Sequence, residues 1–234
     1  MQVPVRLQRR MPEEPRDPHS QRRAWTELSV QRPAEVLEPH RQRHEPEFDV
    51  VATVGDGRSL VHIAATLRPQ VVIVDIGMPL LNGLDAGHQV KELLSSVKLV
   101  FLTMNTDPAL AAEAFRRGAS GYLLKTSTAA ELTTAVREVL QGRSYLSPAI
   151  AEEAVDFLLH QDKEFIAEED RLTERQREVL QLLTEGKSMK QVAEILNVST
   201  STVAFHKIRI KEALHARNDS DLVQYAIRSH VITA

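Results

Sequence analysis

The sequence predicts a doubly wound α/β domain with a parallel sheet, followed by a small all-helical domain. Three observations predict it. From Phe48 onward, short runs rich in Val, Ile and Leu alternate with helical segments, the pattern of consecutive βα units. From Leu172 the strand-like runs cease and capping-box patterns recur. The charge divides at the same places: residues 45–170 carry ten basic and nineteen acidic side chains, residues 171–234 ten basic and seven acidic. An acidic body joined to a mildly basic end points to that end as the part that approaches nucleic acid.

The elements follow in order. Asp49–Val54 reads as a strand and Gly57–Leu67 as a helix stopped before Pro69. Val71–Asp75 (VVIVD) is a short β-branched run, suited to a parallel strand buried on both faces. Gly83–Leu94 is a helix, Leu99–Thr103 (LVFLT) a second buried strand, and Pro108–Arg117 a helix with Gly118 as its C-terminal cap. Tyr122–Leu124 is a short strand, and Ala129–Gln141 a helix closed by Gly142. Residues 146–170 form a linker with a helix and an acidic stretch, so the α/β domain occupies residues 45–145.

In the last part, residues 171–234, Thr173 and Gln176 form a capping box before Val179, Leu180, Leu182 and Leu183, and Gly186 stops that helix. Ser188 and Gln191 repeat the device before Val192, Ala193, Ile195 and Leu196, with Asn197 suited to a left-handed stop. Ser199 caps a third helix reaching about Leu214, and a fourth runs from about Asp221 to His230. Two short helices joined by a tight turn and followed by a longer one suit reading of the major groove. On the third helix Val203, Ile210 and Leu214 share one stripe, which should face the core. Ser201, Ala204, Phe205 and Ile208 lie elsewhere and can face bases, while Lys207, Arg209 and Lys211 can reach phosphates. A plain helical bundle with a solvated charged face explains the same periodicity.

Composition narrows the classes. The 234 residues are 42% hydrophobic, contain no cysteine, and have no run approaching the length of a membrane span. The N-terminus has no apolar run after its basic residues, so no secretory signal is expected and a cytoplasmic place follows. Residues 1–44 are unlike the rest: six of the eleven prolines, nine Arg, no Lys and no Gly. Most of this segment is expected to be disordered.

Three polar residues stand at the ends of three consecutive buried runs: Asp75, Thr103 and Lys125. Open α/β sheets place their sites at that carboxyl edge. A carboxylate there can act as a nucleophile toward phosphorus, a lysine can pair with the resulting phosphate, and a hydroxyl can hydrogen-bond it. Singly, each has a plain alternative: a loop cap, a strand end, a surface charge.

The segment LTERQREVLQLLTEGKSMKQVAEILNVSTSTVAFHKIRIKEAL resembles the LuxR-type helix-turn-helix of the NarL/FixJ response regulators. VVIVDIGMPLLNGLDA, VFLTMNTD and GASGYLLKTS resemble the receiver domains of the same family. The resemblance implies a flavodoxin-like receiver, and a two-component regulator of transcription that binds duplex DNA and is not an enzyme. It implies Asp75 as phospho-acceptor, Thr103 as switch hydroxyl, Tyr122 as a rotating aromatic, Lys125 as phosphate partner, and the Gly77 carbonyl as a Mg²⁺ ligand beside Asp75. It also implies a sensor histidine kinase as donor, base contacts from Ala204, Phe205 and Ile208 supported by Ser201 and Thr202, and a homodimer seam through Leu222, Val223, Ala226 and Ile227. Core packing explains that last stripe equally well.

The front departs from the family. A receiver opens with an apolar strand ending in an acidic pair that holds Mg²⁺. Counted back from Phe48, that pair falls near residues 29–33, which contain no acid; Glu13–Glu14 is flanked by prolines. In the 2-1-3-4-5 sheet order the absent strand is an interior one, between Asp49–Val54 and Val71–Asp75. Trp25–Val30 can enter the slot, although it alternates polar and apolar. Two accounts remain: a degenerate receiver that regulates without phosphate, or residues 1–44 read out of frame. An aspartate-based phosphatase needs a second carboxylate where Gly77 stands, and a flavin-binding protein needs a Ser/Thr-rich phosphate loop that is missing.

Overall fold

The computed structural model describes residues 28–31, 48–160 and 171–232. Most of the segment expected to be disordered and the acidic part of the linker therefore lie outside the described residues. The chain runs β1 (Leu28–Gln31), β2 (Asp49–Ala52), α1 (Gly57–Leu67), β3 (Val71–Asp75), α2 (Gly83–Leu93), β4 (Lys98–Thr103), α3 (Pro108–Arg116), β5 (Gly121–Leu124), α4 (Ala129–Leu140), β6 (Tyr145–Leu146) and α5 (Pro148–His160). The last part holds α6 (Glu174–Thr184), α7 (Met189–Leu196), α8 (Thr200–Leu214) and α9 (Asp219–Arg228). No helix among the described residues is long and apolar enough to cross a membrane.

The sheet order is β2-β1-β3-β4-β5-β6, with β3 to β6 parallel. Every residue of β3 is buried, because helices cover both faces. Val72 and Val74 belong to one core cluster, with Leu60 of α1, Val90 of α2 and Leu110 of α3. Val71 and Ile73 belong to the opposite cluster, with Ala135, Val136 and Val139 of α4. The period-two alternation of a strand thus feeds two apolar layers, which is why both sets are β-branched.

The interior slot is filled, by Leu28–Gln31, a segment that overlaps the sequence candidate. Its direction is not that of a receiver's first strand: β1 pairs antiparallel with both β2 and β3. Val30 lies opposite Val71, the first residue of β3, and Leu28 opposite Ile73. The chain therefore leaves β1 at the edge away from Asp75, and its end cannot deliver an acidic pair beside that carboxylate. Backbone hydrogen bonding of β2 and β3 is met by the antiparallel ladder.

The expected linker helix is present as α5, but it is part of the α/β domain. Ile150 and Ala154 are buried in the same cluster as α1 and α3. Apolar spacing in PAIAEEAV, in a stretch set aside for its acids, is the signal that shows this.

Caps follow the sequence closely. Thr173–Gln176 and Ser188–Gln191 both close as capping boxes, Asn197 takes φ 52°, and Gly118 stands just past α3 at φ 94°. A third capping box, Asn218–Asp221, starts α9 two residues before the expected point.

Gly83 follows the Asn82 cap at a place where backbone meets backbone. A Cβ there would lie 2.1 Å from the Asp75 carbonyl oxygen and 2.8 Å from the Ile76 Cα, and neither can swing away. Gly83→Ala is expected to destabilise the α/β domain by about 1–3 kcal/mol, read as a lower urea midpoint at unchanged slope.

Candidate functional site

The strand-end residues converge. Asp75, Thr103 and Lys125 line one cavity of about 670 Å³ at the carboxyl edge of β3, β4 and β5. Lys125 Nζ bonds Asp75 Oδ2, and the Gly77 amide donates to Asp75 Oδ1 at 3.0 Å. Thr103 is buried, and its hydroxyl accepts the Asn105 amide at 3.0 Å. Tyr122 is fully buried beneath them, and burial pushes its phenol well above the usual range, so it stays protonated.

The far wall of this cavity comes from the other domain. Ile227, His230 and Ile232 line it. The His230 ring lies 3.1 Å from Asn105 Nδ2 through Nδ1 and 3.4 Å from Asp107 Oδ2 through Nε2. Sequence reasoning placed none of these residues at the site, because nothing local to 227–232 signals a partner across the fold.

A polar clasp joins the domains beside the cavity. Gln181 on α6, 1% exposed, accepts the Asn82 amide at 2.7 Å and donates to the Met78 carbonyl at 3.0 Å. Leu80 holds a left-handed backbone at φ 64°; its amide donates to Glu185 at 3.0 Å, and its side chain packs against the helical domain's core. Asp85, buried at the start of α2, receives Arg117 of its own domain and Arg177 of α6. Burial works against the charge of Arg117, and Asp85 with Glu113 more than offsets it, so the guanidinium is held above its usual range. Buried Glu178 accepts from Arg58 of α1 at 3.1 Å and from Arg175 at 2.6 Å. Gln181 and Asp85 look like solvated helix residues in sequence; only an oddly placed polar residue within VLQLL hints at the clasp.

On α8, Val203 and Ile210 are fully buried and Leu214 packs partly against the core, as the stripe predicts. Phe205 and Ile208 stand 55% and 58% exposed, Ser201 and Arg209 are exposed, and Thr202 and Ala204 partly so. The face expected to read bases is therefore open while the domains are docked. Two of the expected phosphate contacts are engaged elsewhere: Lys207 and Lys211 each lie 2.7 Å from Asp219. Their hydrogen bonds hold the Asp219 carboxyl below the usual carboxylate range. Arg209 sits 5.4 Å over the Phe205 ring and 3.1 Å from Glu212.

The expected dimer stripe divides. Leu222 and Ala226 are buried at 2% and 0% in the core of their own domain, so they offer no surface to a partner. Val223 and Ile227 remain about one-third exposed. A stripe at i, i+1, i+4, i+5 is wide enough to serve the core with one edge and solvent with the other.

Residues 36–137 match the response regulator receiver domain, and residues 170–226 the luxR family of bacterial regulatory proteins. The first match begins nine residues before the expected domain start at residue 45. The transcriptional regulatory protein DegU of Brevibacillus brevis is 33% identical over 199 residues, covering 79% of this chain and 84% of that protein. LiaR of Bacillus subtilis is 32% identical over 188 residues, covering 80% and 89%. A solved structure of RcsB from Salmonella enterica serovar Typhimurium is 27% identical, covers 76% of this chain and 84% of its own, and has a TM-score of 0.48.

The chain belongs to the LuxR-type response regulators. It is a two-component response regulator and a DNA-binding regulator of transcription. Receiver domains generally take Mg²⁺, and the described residues fit that ion poorly. Asp75 is the one carboxylate among the described residues lining the cavity, and its two oxygens are engaged by Lys125 and by the Gly77 amide.

Gln181→Ala removes both clasp bonds and leaves the Asn82 amide and Met78 carbonyl unpaired. Docking should weaken by about 1–3 kcal/mol, seen as faster hydrogen exchange at Leu80 and Asn82 in a chain that stays folded. Asp219→Asn should free Lys207 and Lys211 for phosphates. The slope of log affinity against log salt should steepen by roughly one to two, with tighter DNA binding at low salt.

Proposed function

We propose that Asp75 is the phospho-acceptor and that its phosphorylation undocks the helical domain, which then binds duplex DNA as a dimer. The observation that carries this reading is the shared cavity: the candidate acceptor and its partner lysine face a wall made by the end of the DNA-binding domain. An Asp75 oxygen attacks the phosphorus of a phosphohistidine on a sensor kinase; the P–N bond breaks and the imidazole leaves. Lys125 moves from the carboxylate to the new phosphoryl oxygens, and the Thr103 hydroxyl turns from the Asn105 amide to join it.

The aspartyl phosphate carries about one and a half to two negative charges where the carboxylate carried one. It needs polar partners, and the opposite wall supplies two isoleucines and a histidine already facing Asn105 and Asp107. Burying such a charge against apolar side chains is unfavourable, so the docked wall is the part that gives way. Ile227 cannot line the cavity and a dimer seam at once. The receiver thus withholds Ile227 from the dimer edge, while leaving Val223 and the reading face of α8 free. We assign Ser201, Thr202, Ala204, Phe205 and Ile208 to base-edge contact and Lys207, Arg209 and Lys211 to phosphates.

With Mg²⁺ poorly supported by the residues lining the cavity, Lys125 is the group that offsets charge on Asp75. Regulation without phosphate is the second reading, and what favours it is the antiparallel β1, which brings no acidic pair to Asp75.

Incubation with acetyl phosphate, followed by intact-protein mass spectrometry, should give a single adduct that is absent in Asp75→Ala. The same sample should shift toward dimer in light scattering. A folded protein that takes no phosphate with or without Mg²⁺ would establish the phosphate-independent reading.

A further inference from the structure

Away from the phosphate cavity, one group of side chains has metal-ligand chemistry. His88 and Glu92 stand one turn apart on α2, so both project from one helix face. Glu174 is the first residue of α6 and belongs to the other domain. His88 Nε2 lies 3.7 Å from Glu92 Oε1 and 3.4 Å from Glu174 Oε1. All three ligand atoms lie within 4.8 Å of one another.

Those separations suit an ion. A tetrahedral centre with ligands at about 2.0–2.2 Å holds them roughly 3.3–3.6 Å apart, so the two measured edges need almost no change. One imidazole with two carboxylates is a donor set for zinc-class divalent ions, and two carboxylates balance the charge of such an ion. The three side chains are about one-third to three-fifths exposed, which leaves an entry path and a fourth corner for water. Without an ion, two carboxylates converge on one nitrogen and repel each other; a cation converts that repulsion into attraction for both.

We propose that His88, Glu92 and Glu174 form a divalent transition-metal site that bridges the two domains and holds them docked. Glu174 shares a helix with Arg177, Glu178 and Gln181, the clasp residues, so the third ligand is in place only while α6 sits on the receiver. An ion bound to the docked form alone shifts the equilibrium toward it by mass action. The ion therefore acts as a lock, and DNA binding should fall as free ion rises. The metal site itself does not depend on phosphorylation; the fall in DNA binding rests on the reading that undocking frees the dimer edge.

The test uses the full-length chain stripped with EDTA and titrated with Zn²⁺ alone by calorimetry, and with Co²⁺ by visible absorption. Wild type, His88→Ala and Glu174→Gln are compared, so that ions taken up by other histidines appear equally in all three. The expected result is one ion per chain in wild type beyond that in His88→Ala, and at least a tenfold loss of affinity at this site in Glu174→Gln. Zn²⁺ should also slow hydrogen exchange at the Leu80 and Asn82 amides in wild type and not in Glu174→Gln. Equal uptake by wild type and His88→Ala would overturn the site. Unchanged affinity and exchange in Glu174→Gln would overturn the bridge.

Discussion

The docked arrangement rests on one buried side chain. Gln181 presents a carboxamide with two acceptor sites and two donors, and the β3–α2 loop presents the Asn82 amide and the Met78 carbonyl in reach of them. That loop is held from its own side by the Asn82 cap on α2 and by Leu80 in a left-handed turn that a leucine rarely adopts. Glu185 takes the Leu80 amide, so the strained turn is stabilised by the neighbouring domain. Where α6 sits fixes where α9 ends, and the end of α9 closes the cavity over Asp75.

Such an interface suits a switch. Apolar interfaces are stable wherever they bury area, but a buried polar one is stable only in register, because each unpaired group costs about 1–3 kcal/mol. Asp85 shows the same logic: it satisfies Arg117 and Arg177 together, and undocking removes Arg177 and leaves the carboxylate with Arg117 and the Asn82 side-chain amide. The clasp is therefore specific when closed and has few partly open states of low energy. Electrostatics in the helical domain are held back in parallel. Asp219 keeps Lys207 and Lys211 of α8 paired, a contact that phosphate groups of DNA can outcompete by numbers.

Much of this was legible in the sequence, for physical reasons. VVIVD and LVFLT announce strands buried on two faces because nothing else tolerates such runs, and Asp75, Thr103 and Lys125 follow as strand ends. Caps are local chemistry, so Thr173, Ser188 and Asn197 were readable from four-residue windows. What stayed hidden is nonlocal. Leu222 and Ala226 share a stripe with Val223 and Ile227, and periodicity cannot tell which edge meets the core. The place of α5 in the receiver core and the wall formed by Ile227, His230 and Ile232 depend on partners far away in sequence. The direction of β1 is equally invisible, since a four-residue strand has the same pattern read either way.

The antiparallel β1 has a consequence for chemistry. In a receiver a parallel first strand ends beside the acceptor, and an acidic pair there holds the cation that offsets the charge of two approaching anions. Here β1 ends at the opposite edge, and the carboxylate faces Lys125 with no competing acid among the cavity's described residues. With a single carboxylate the local charge is less negative than in an acid-rich pocket, so an incoming phosphoryl group meets less repulsion and one lysine can offset more of it. A lysine gives neither the two charges nor the octahedral directionality of Mg²⁺, which lowers transition-state stabilisation. On the proposal that Asp75 takes phosphate, the same feature slows loss of the phosphoryl group, because hydrolysis needs the same charge offset, and a slow-loading, slow-clearing acceptor is the kinetic form expected of a receiver of this charge.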